Sequence, residues 1–210
     1  MIRFSLIFFF LFLGLESYSQ ILPGMFGAAT KKNSVSSSDT WDSSIKPSCT
    51  TFSNSDRTSL ENNCSNNWST VYGEIAVSSG IQEWEVTINS LNEDANTAGV
   101  GLDMTIGIVN LRNNKDTWST NSAATGTIGY VYFNSNGHKE TNLTGSNVNT
   151  PYGASYSAGD VIKISLNMNN RELTFYKNGT SQGVAYTVAT GTYYLASTFY
   201  KGSGASLTIN

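Results

Sequence analysis

Charged side chains are scarce in this sequence: Asp, Glu, Lys and Arg make up 13% of its 210 residues, and the formal net charge is −3. A chain so poor in Lys and Arg has no broad basic face, so neither nucleic acid nor an anionic lipid surface is expected as a partner. Histidine occurs once, as His138, and cysteine twice, as Cys49 and Cys64. No CxxC pair and no Cys/His cluster with zinc spacing can be built from these, and neither a metal nor a cofactor is expected. Helix-forming Ala, Leu, Glu and Lys are sparse. Long apolar runs are missing as well, with one exception at the amino terminus.

That exception is Phe4 to Leu15, which follows Arg3 and is interrupted only by Ser5 and Gly14. About a dozen residues cannot span a bilayer, which takes ~20. Ser17 and Ser19 then place small residues at −3 and −1 of a cleavage point before Gln20. Residues 1–19 read as a secretory signal peptide; the alternatives are an uncleaved anchor or a true start at Met25. The expected location is therefore secreted or cell-surface, extracellular or periplasmic, with no span in the mature chain. In that oxidising setting an even pair of cysteines tends to be bridged. The segment between Cys49 and Cys64 reads as two strands about an Asp56–Arg57 turn, which sets the two cysteines opposite each other.

What the sequence has in quantity is Ser, Thr, Asn, Gly and Tyr, a mix that suits short strands and turns. Residues 20–40 show no apolar period and read as a linker or mobile tail, leaving 41–210 as one domain. Within it, Trp84, Val86 and Ile88 alternate with Glu83, Glu85 and Thr87, the period of a half-buried strand. Ile162, Ile164, Leu166 and Met168 repeat the pattern, and a third strand, 172–179, follows across Asn169-Asn170-Arg171 as a hairpin. Further strands are expected at 70–77, 104–109, 128–133, 193–199 and 206–209. Nowhere do apolar residues keep a helical period. The fold class is all-β, a two-sheet antiparallel sandwich or a barrel.

The runs EWEVTI, TIGIVN and IGYVYFNSNGHK, followed by YGASYSAGDVIKISLNMNNRELTFYKNGTSQGVAY, resemble the SPRY domain family. The most specific part is a progression through Tyr152-Gly153, Gly159-Asp160, Leu173, Phe175, Asn178-Gly179 and Gly183. The closing YYLASTFYKGSGASLTIN resembles the family's terminal strands, and the likeness covers roughly 41–210. Lys163 and Asn167 depart from the usual glycine and aspartate. The resemblance implies a bent two-sheet sandwich of the concanavalin A-like type and an activity of recognition, mainly of short peptide segments or protein surfaces. Each matched position is a turn or a core position, so the likeness identifies a fold rather than a ligand.

Catalytic chemistry finds little to work with. Glu83 and Glu85 share one strand face, but they continue the polar side of an amphipathic strand rather than flank a bond. His138 follows the Asn136-Gly137 turn in a polar stretch, with no nucleophile elbow in the sequence. Asn92-Glu93-Asp94 with Asp103 reads as a solvated loop rather than a calcium site. Four Asn-x-Ser/Thr acceptor patterns begin at Asn63, Asn67, Asn142 and Asn178, and in a chain this rich in Asn, Ser and Thr they decide nothing. The chain is not expected to be an enzyme.

Loop aromatics are the better lead. Trp118 stands alone in a long polar loop, 112–127, and Tyr152 and Tyr156 sit in an Asn/Gly-rich stretch. Such rings supply rigid contact area, or else pack over the sandwich edge. The candidate ligand-binding residues are therefore Trp118, His138, Tyr152 and Tyr156. A protein or peptide ligand is the first expectation. A glycan-binding or adhesion module, including a phage-type receptor-binding tip, is the alternative, and a degenerate glycan hydrolase is the third.

Overall fold

The alternation of Trp84, Val86 and Ile88 is realised in β5, Ile81–Ser90, the longest strand among the described residues. The structure is a computed structural model, and it describes residues 35–36, 38–62, 68–91, 104–112, 116, 126–200 and 204–210. Among the described residues there is no helix. Before β5 come β1 (Val35–Ser36), β2 (Thr50–Ser53), β3 (Thr58–Glu61) and β4 (Trp68–Tyr72). After it come β6 (Met104–Val109), β7 (Gly129–Phe133), β8 (His138–Thr141), β9 (Val148–Pro151) and β10 (Val161–Asn167). The last four are β11 (Glu172–Lys177), β12 (Thr180–Thr187), β13 (Tyr194–Tyr200) and β14 (Ser206–Ile209).

Two sheets result. One runs β12–β11–β10–β5–β14–β3–β2 and the other β4–β13–β6–β7–β8–β9. All pairings between named strands are antiparallel except that of β1, which lies parallel to β5 at Gln82 and Glu83. The core between the sheets takes Trp84, Ile164 and Phe175 from one side and Ile106, Tyr132 and Phe199 from the other, all fully buried. Burying side chains of this size supplies the main drive to fold, on the order of 25 cal/mol per Å² of apolar surface. β6 and β7 are buried at every residue. On β7, Tyr130 and Tyr132 enter the main core while Val131 and Phe133 form a second small cluster with Trp68.

The expected sandwich and its principal strands are present, and β6 and β14 have the expected ends. Four strands were not foreseen: β1, which falls in the expected tail, and β8, β9 and β12. The stretch 134–156 is thus not one loop, and His138 begins a strand. The expected strand 70–77 is shorter; it ends at Tyr72, and Val77 makes only an isolated bridge to Tyr193.

The expected domain start at Trp41 is also too late. Residues 34–210 form one compact unit, and Asp39 is 1% exposed. Its Oδ2 accepts the Trp84 indole N–H at 2.8 Å, and its Oδ1 accepts the backbone N–H groups of Thr40, Glu74 and Ile75 at 2.8–3.0 Å. Gly73 makes room for it, since a Cβ there would stand 2.5 Å from Asp39 Oδ2. The polar composition of 20–40 hides a carboxylate that the core requires.

The two turns of the SPRY-like progression hold each other. Asn178 (φ 48°) and Gly179 (φ 78°) form the two-residue link between β11 and β12, where both residues must be left-handed. Asn178 Oδ1 accepts Val161 N–H at 2.8 Å, and its Nδ2 donates to Asp160 Oδ1 at 2.7 Å. Asp160 Oδ2 accepts the Ser157 N–H and pairs with Lys177 Nζ at 3.1 Å. Partial burial pushes the Asp160 carboxyl up, but these donors outweigh it and hold the group below its ordinary value.

Candidate functional site

At one end of the sandwich, residues 152–156 cross from β9 of one sheet toward β11 and β12 of the other. Tyr152 makes the crossing. Its hydroxyl donates to Gly183 O at 2.5 Å and accepts Phe175 N–H at 3.3 Å. Its ring stands edge-on to Tyr132 and Phe175, at centroid distances of 5.4 and 6.1 Å. Gln182 Oε1 accepts Ala154 N–H at 2.9 Å, and Tyr132 donates its hydroxyl to Ala154 O. Burial raises the phenols of Tyr132 and Tyr152 to about 12, so both are neutral hydrogen-bonding groups at any ordinary pH.

The mouth between the sheets is filled by Lys139. β8 pairs Lys139 with Tyr132 of β7, so its side chain lies on the same, inward face. The ammonium donates to Ala185 O and sits 5.3 Å from the Tyr152 ring centroid and 4.9 Å from that of Tyr186. Burial holds the amine below its ordinary value. Val184 of β12, 52% exposed, pairs with Thr174 and so stands on the opposite, outer face of that sheet.

The four expected ligand contacts separate. Tyr152 lies in this mouth. His138 lies one residue from Lys139 and is partly buried; its Nδ1 is 2.6 Å from Asn149 Oδ1. An amide cannot act as the carboxylate of a catalytic triad. Tyr156 is a correction: at 3% exposure it is a core residue, its hydroxyl donating to Tyr132 O at 3.0 Å. Trp118 lies outside the described residues, as do Asn92-Glu93-Asp94 and Asp103. Glu83 is tied to the sheet face through Ser165 at 3.1 Å and Lys163 at 3.6 Å, while Glu85 is exposed. Among the described residues, no three His, Cys, Asp or Glu side chains are grouped to hold a metal. One glycan acceptor asparagine is buried, and a second is exposed but tied by hydrogen bonds. Asn142 is buried between Gly129 N and Thr127 O, and Asn178 is held by Asp160 and Val161.

The SPRY domain family matches residues 81–210. This chain belongs to the SPRY family. SPRY domains generally act as protein–protein interaction modules. The matched region includes Lys139, Tyr152, Gln182, Val184 and Tyr186, whereas Asp39 and β1–β4 precede it although they complete the same two sheets. The SPRY domain of human HERC1 superposes with a TM-score of 0.60 at 20% identity, over 80% of this chain and 96% of that one. The PSpry domain of TRIM65 gives 0.56 at 15% identity, over 82% of this chain and 89% of that one. At such identities the likeness concerns the fold alone. In sequence, 81 residues are 36% identical to the dual specificity protein kinase splA of Dictyostelium discoideum, 38% of this chain but 3% of that protein.

Lys139, Gln182, Val184 and Tyr186 were not singled out in the sequence. Lys139 stands between His138 and Glu140 in a stretch without apolar alternation, and nothing there announces that one lysine turns inward.

Proposed function

We propose that this chain is an exported, non-catalytic binding module that recognises a protein segment at the end of the sandwich where 152–156 crosses between the sheets. Membership of a family of interaction domains supports the reading. The observation that carries it is the mouth itself, where Tyr152, Tyr186 and Lys139 combine rigid aromatic area and a cation. Such mixtures favour polypeptide contact. The loop 112–127, with Trp118 as its anchor, is assigned to the same site. Export is supported by the apolar run 4–15, and among the described residues no helix is long and apolar enough to cross a membrane.

The test is selection from a random peptide library, run beside a glycan array and an assay for reducing sugar released from common polysaccharides. Enriched peptides with a silent array and no released sugar are the expected outcome. Trp118→Ala should then weaken binding roughly thirtyfold, about 2 kcal/mol or more, with an unchanged melting temperature. A Trp118→Ala protein that melts early would remove that residue from the site.

A Cys49–Cys64 bridge belongs to the same proposal. Its support is that Cys49 is not a free thiol and that Cys64, outside the described residues, is the sequence's other cysteine. Closing a loop of about 15 residues stabilises by ~3 kcal/mol in the chain-entropy account. Titration of the unreduced, denatured protein should find no thiol, and two thiols would end the assignment. Mass spectrometry of the exported protein should find an amino terminus at Gln20.

A further inference from the structure

Among the described residues, Lys139 is a partly buried cation without an ion-pair partner. The ion pairs among the described residues are Arg112–Asp42, Lys163–Glu83 and Lys177–Asp160, and none includes Lys139. Its charge meets only the faces of Tyr152 and Tyr186 and the carbonyl of Ala185. Ring faces and one carbonyl compensate a desolvated ammonium less well than a carboxylate does.

A second group in the same place also lacks an acceptor. The Tyr186 hydroxyl is shut off from solvent and has no hydrogen-bond partner among the described residues. A buried hydroxyl is normally satisfied, because leaving its donor unused is costly. Its ring packs on Tyr130 at 5.1 Å, which fixes the position of the phenol oxygen. A partly buried cation and a buried O–H donor, neither with a hydrogen-bonded carboxylate among the described residues, thus lie on the inward faces of β8 and β12, with the ammonium 4.9 Å from the Tyr186 ring and the Glu140 charge felt by the Tyr186 phenol.

From this pair we infer that the mouth between β8 and β12 is a carboxylate-binding site, and that the protein segment recognised here presents an Asp or Glu side chain to Lys139 and Tyr186. The inference rests on the protein-segment reading above. The carboxylate accepts from the ammonium and from the Tyr186 hydroxyl. The flexible four-carbon stem of Lys139 is the part that moves as the acceptor enters. Tyr152 stays in place, because its hydroxyl is tied to both Gly183 and Phe175.

The probe is a pair of blocked tripeptides, acetyl-Ala-Asp-Ala-amide and its Asn counterpart, titrated while side-chain NMR signals of Lys139 and Tyr186 are followed. The Asp peptide should shift both signals saturably, less so at higher salt, and the Asn peptide should not. Lys139→Gln should weaken the Asp response by roughly tenfold or more. Tyr186→Phe should weaken it while leaving the melting temperature the same or higher, since it deletes an unsatisfied hydroxyl. Equal responses to Asp and Asn, no response to either, or an Asp response that survives Lys139→Gln would each overturn the inference. The peptide library separates the two readings. Peptides that enrich equally on the wild type and on Lys139→Gln, with no acidic bias, would refute the carboxylate site and keep the protein-segment reading. A library that yields nothing while the Asp tripeptide binds would do the reverse.

Discussion

Asp39→Ala is expected to lower the stability of the domain by about 3–5 kcal/mol, as much as breaking a buried ion pair. The carboxylate is buried and organises four donors, from Thr40, Glu74, Ile75 and the Trp84 indole. Alanine leaves those donors without their acceptor, and each buried, unused one costs about 1–3 kcal/mol. A typical domain has only about 5–15 kcal/mol in total, so the loss should be plain in a urea titration. Trp84→Ala should cost a similar amount, about 3–5 kcal/mol, through the cavity left by a fully buried ring. Trp84→Phe separates the terms, because it keeps most of the volume and removes the indole N–H that Asp39 accepts. The Asp39 and Trp84 losses should be less than additive, since both variants break the same bond. Limited proteolysis should trim the amino-terminal tail only as far as Asp39. A resistant, cooperatively unfolding fragment that begins at Trp41 would show that Asp39 is dispensable.

The second large effect is in pH. Glu61 is fully buried, and burial raises its carboxyl from 4.5 to about 7, against hydrogen bonds from Thr50 Oγ1 at 2.8 Å and Ser69 Oγ at 3.1 Å and the charge of Lys46. In the unfolded chain the group titrates near 4.5, so between pH 4.5 and about 7 the folded state holds the extra proton. Stability therefore falls as pH rises through that window and levels off above it. The shift corresponds to a loss on the order of 3 kcal/mol. Burial also raises Asp39 above its ordinary value, which slopes the same way. Asp160, held low, opposes them only in stronger acid. Glu61→Gln should flatten the slope: more stable than the wild type at pH 8, and equal or weaker at pH 4. Urea midpoints at five pH values would read this directly. A wild type whose stability rises from pH 5 to 7, with Glu61→Gln parallel to it, would contradict the assignment.

Legibility in the sequence followed burial. β5, β10 and β11 were readable because each presents one apolar face to the core, and Trp84, Ile164 and Phe175 mark that face at a period of two. β8, β9 and β12 were not, because they lie at or next to sheet edges and bury little: His-Lys-Glu-Thr and Val-Asn-Thr-Pro carry no alternation, and β9 is exposed at all four residues. Strands of that kind are held by ladder hydrogen bonds to a neighbour, and a single stretch of sequence does not encode its neighbour. The same reason applies to the mouth. Tyr152 could be suspected as a lone aromatic among polar residues, but its role depends on meeting Gly183, thirty-one positions away.

By itself, then, the sequence determined the all-β class, most core strands, the turn residues Asn178-Gly179 and the scarcity of catalytic groups. These follow from local rules: a period of two, turn chemistry and composition. Only the tertiary structure decided that Tyr156 is core, that Asp39 belongs to the domain, that Glu61 is buried, and that Lys139 turns inward without an ion-pair partner among the described residues. Each of these turns on the electrostatic surroundings of one polar atom, and those surroundings are assembled from strands far apart in the chain.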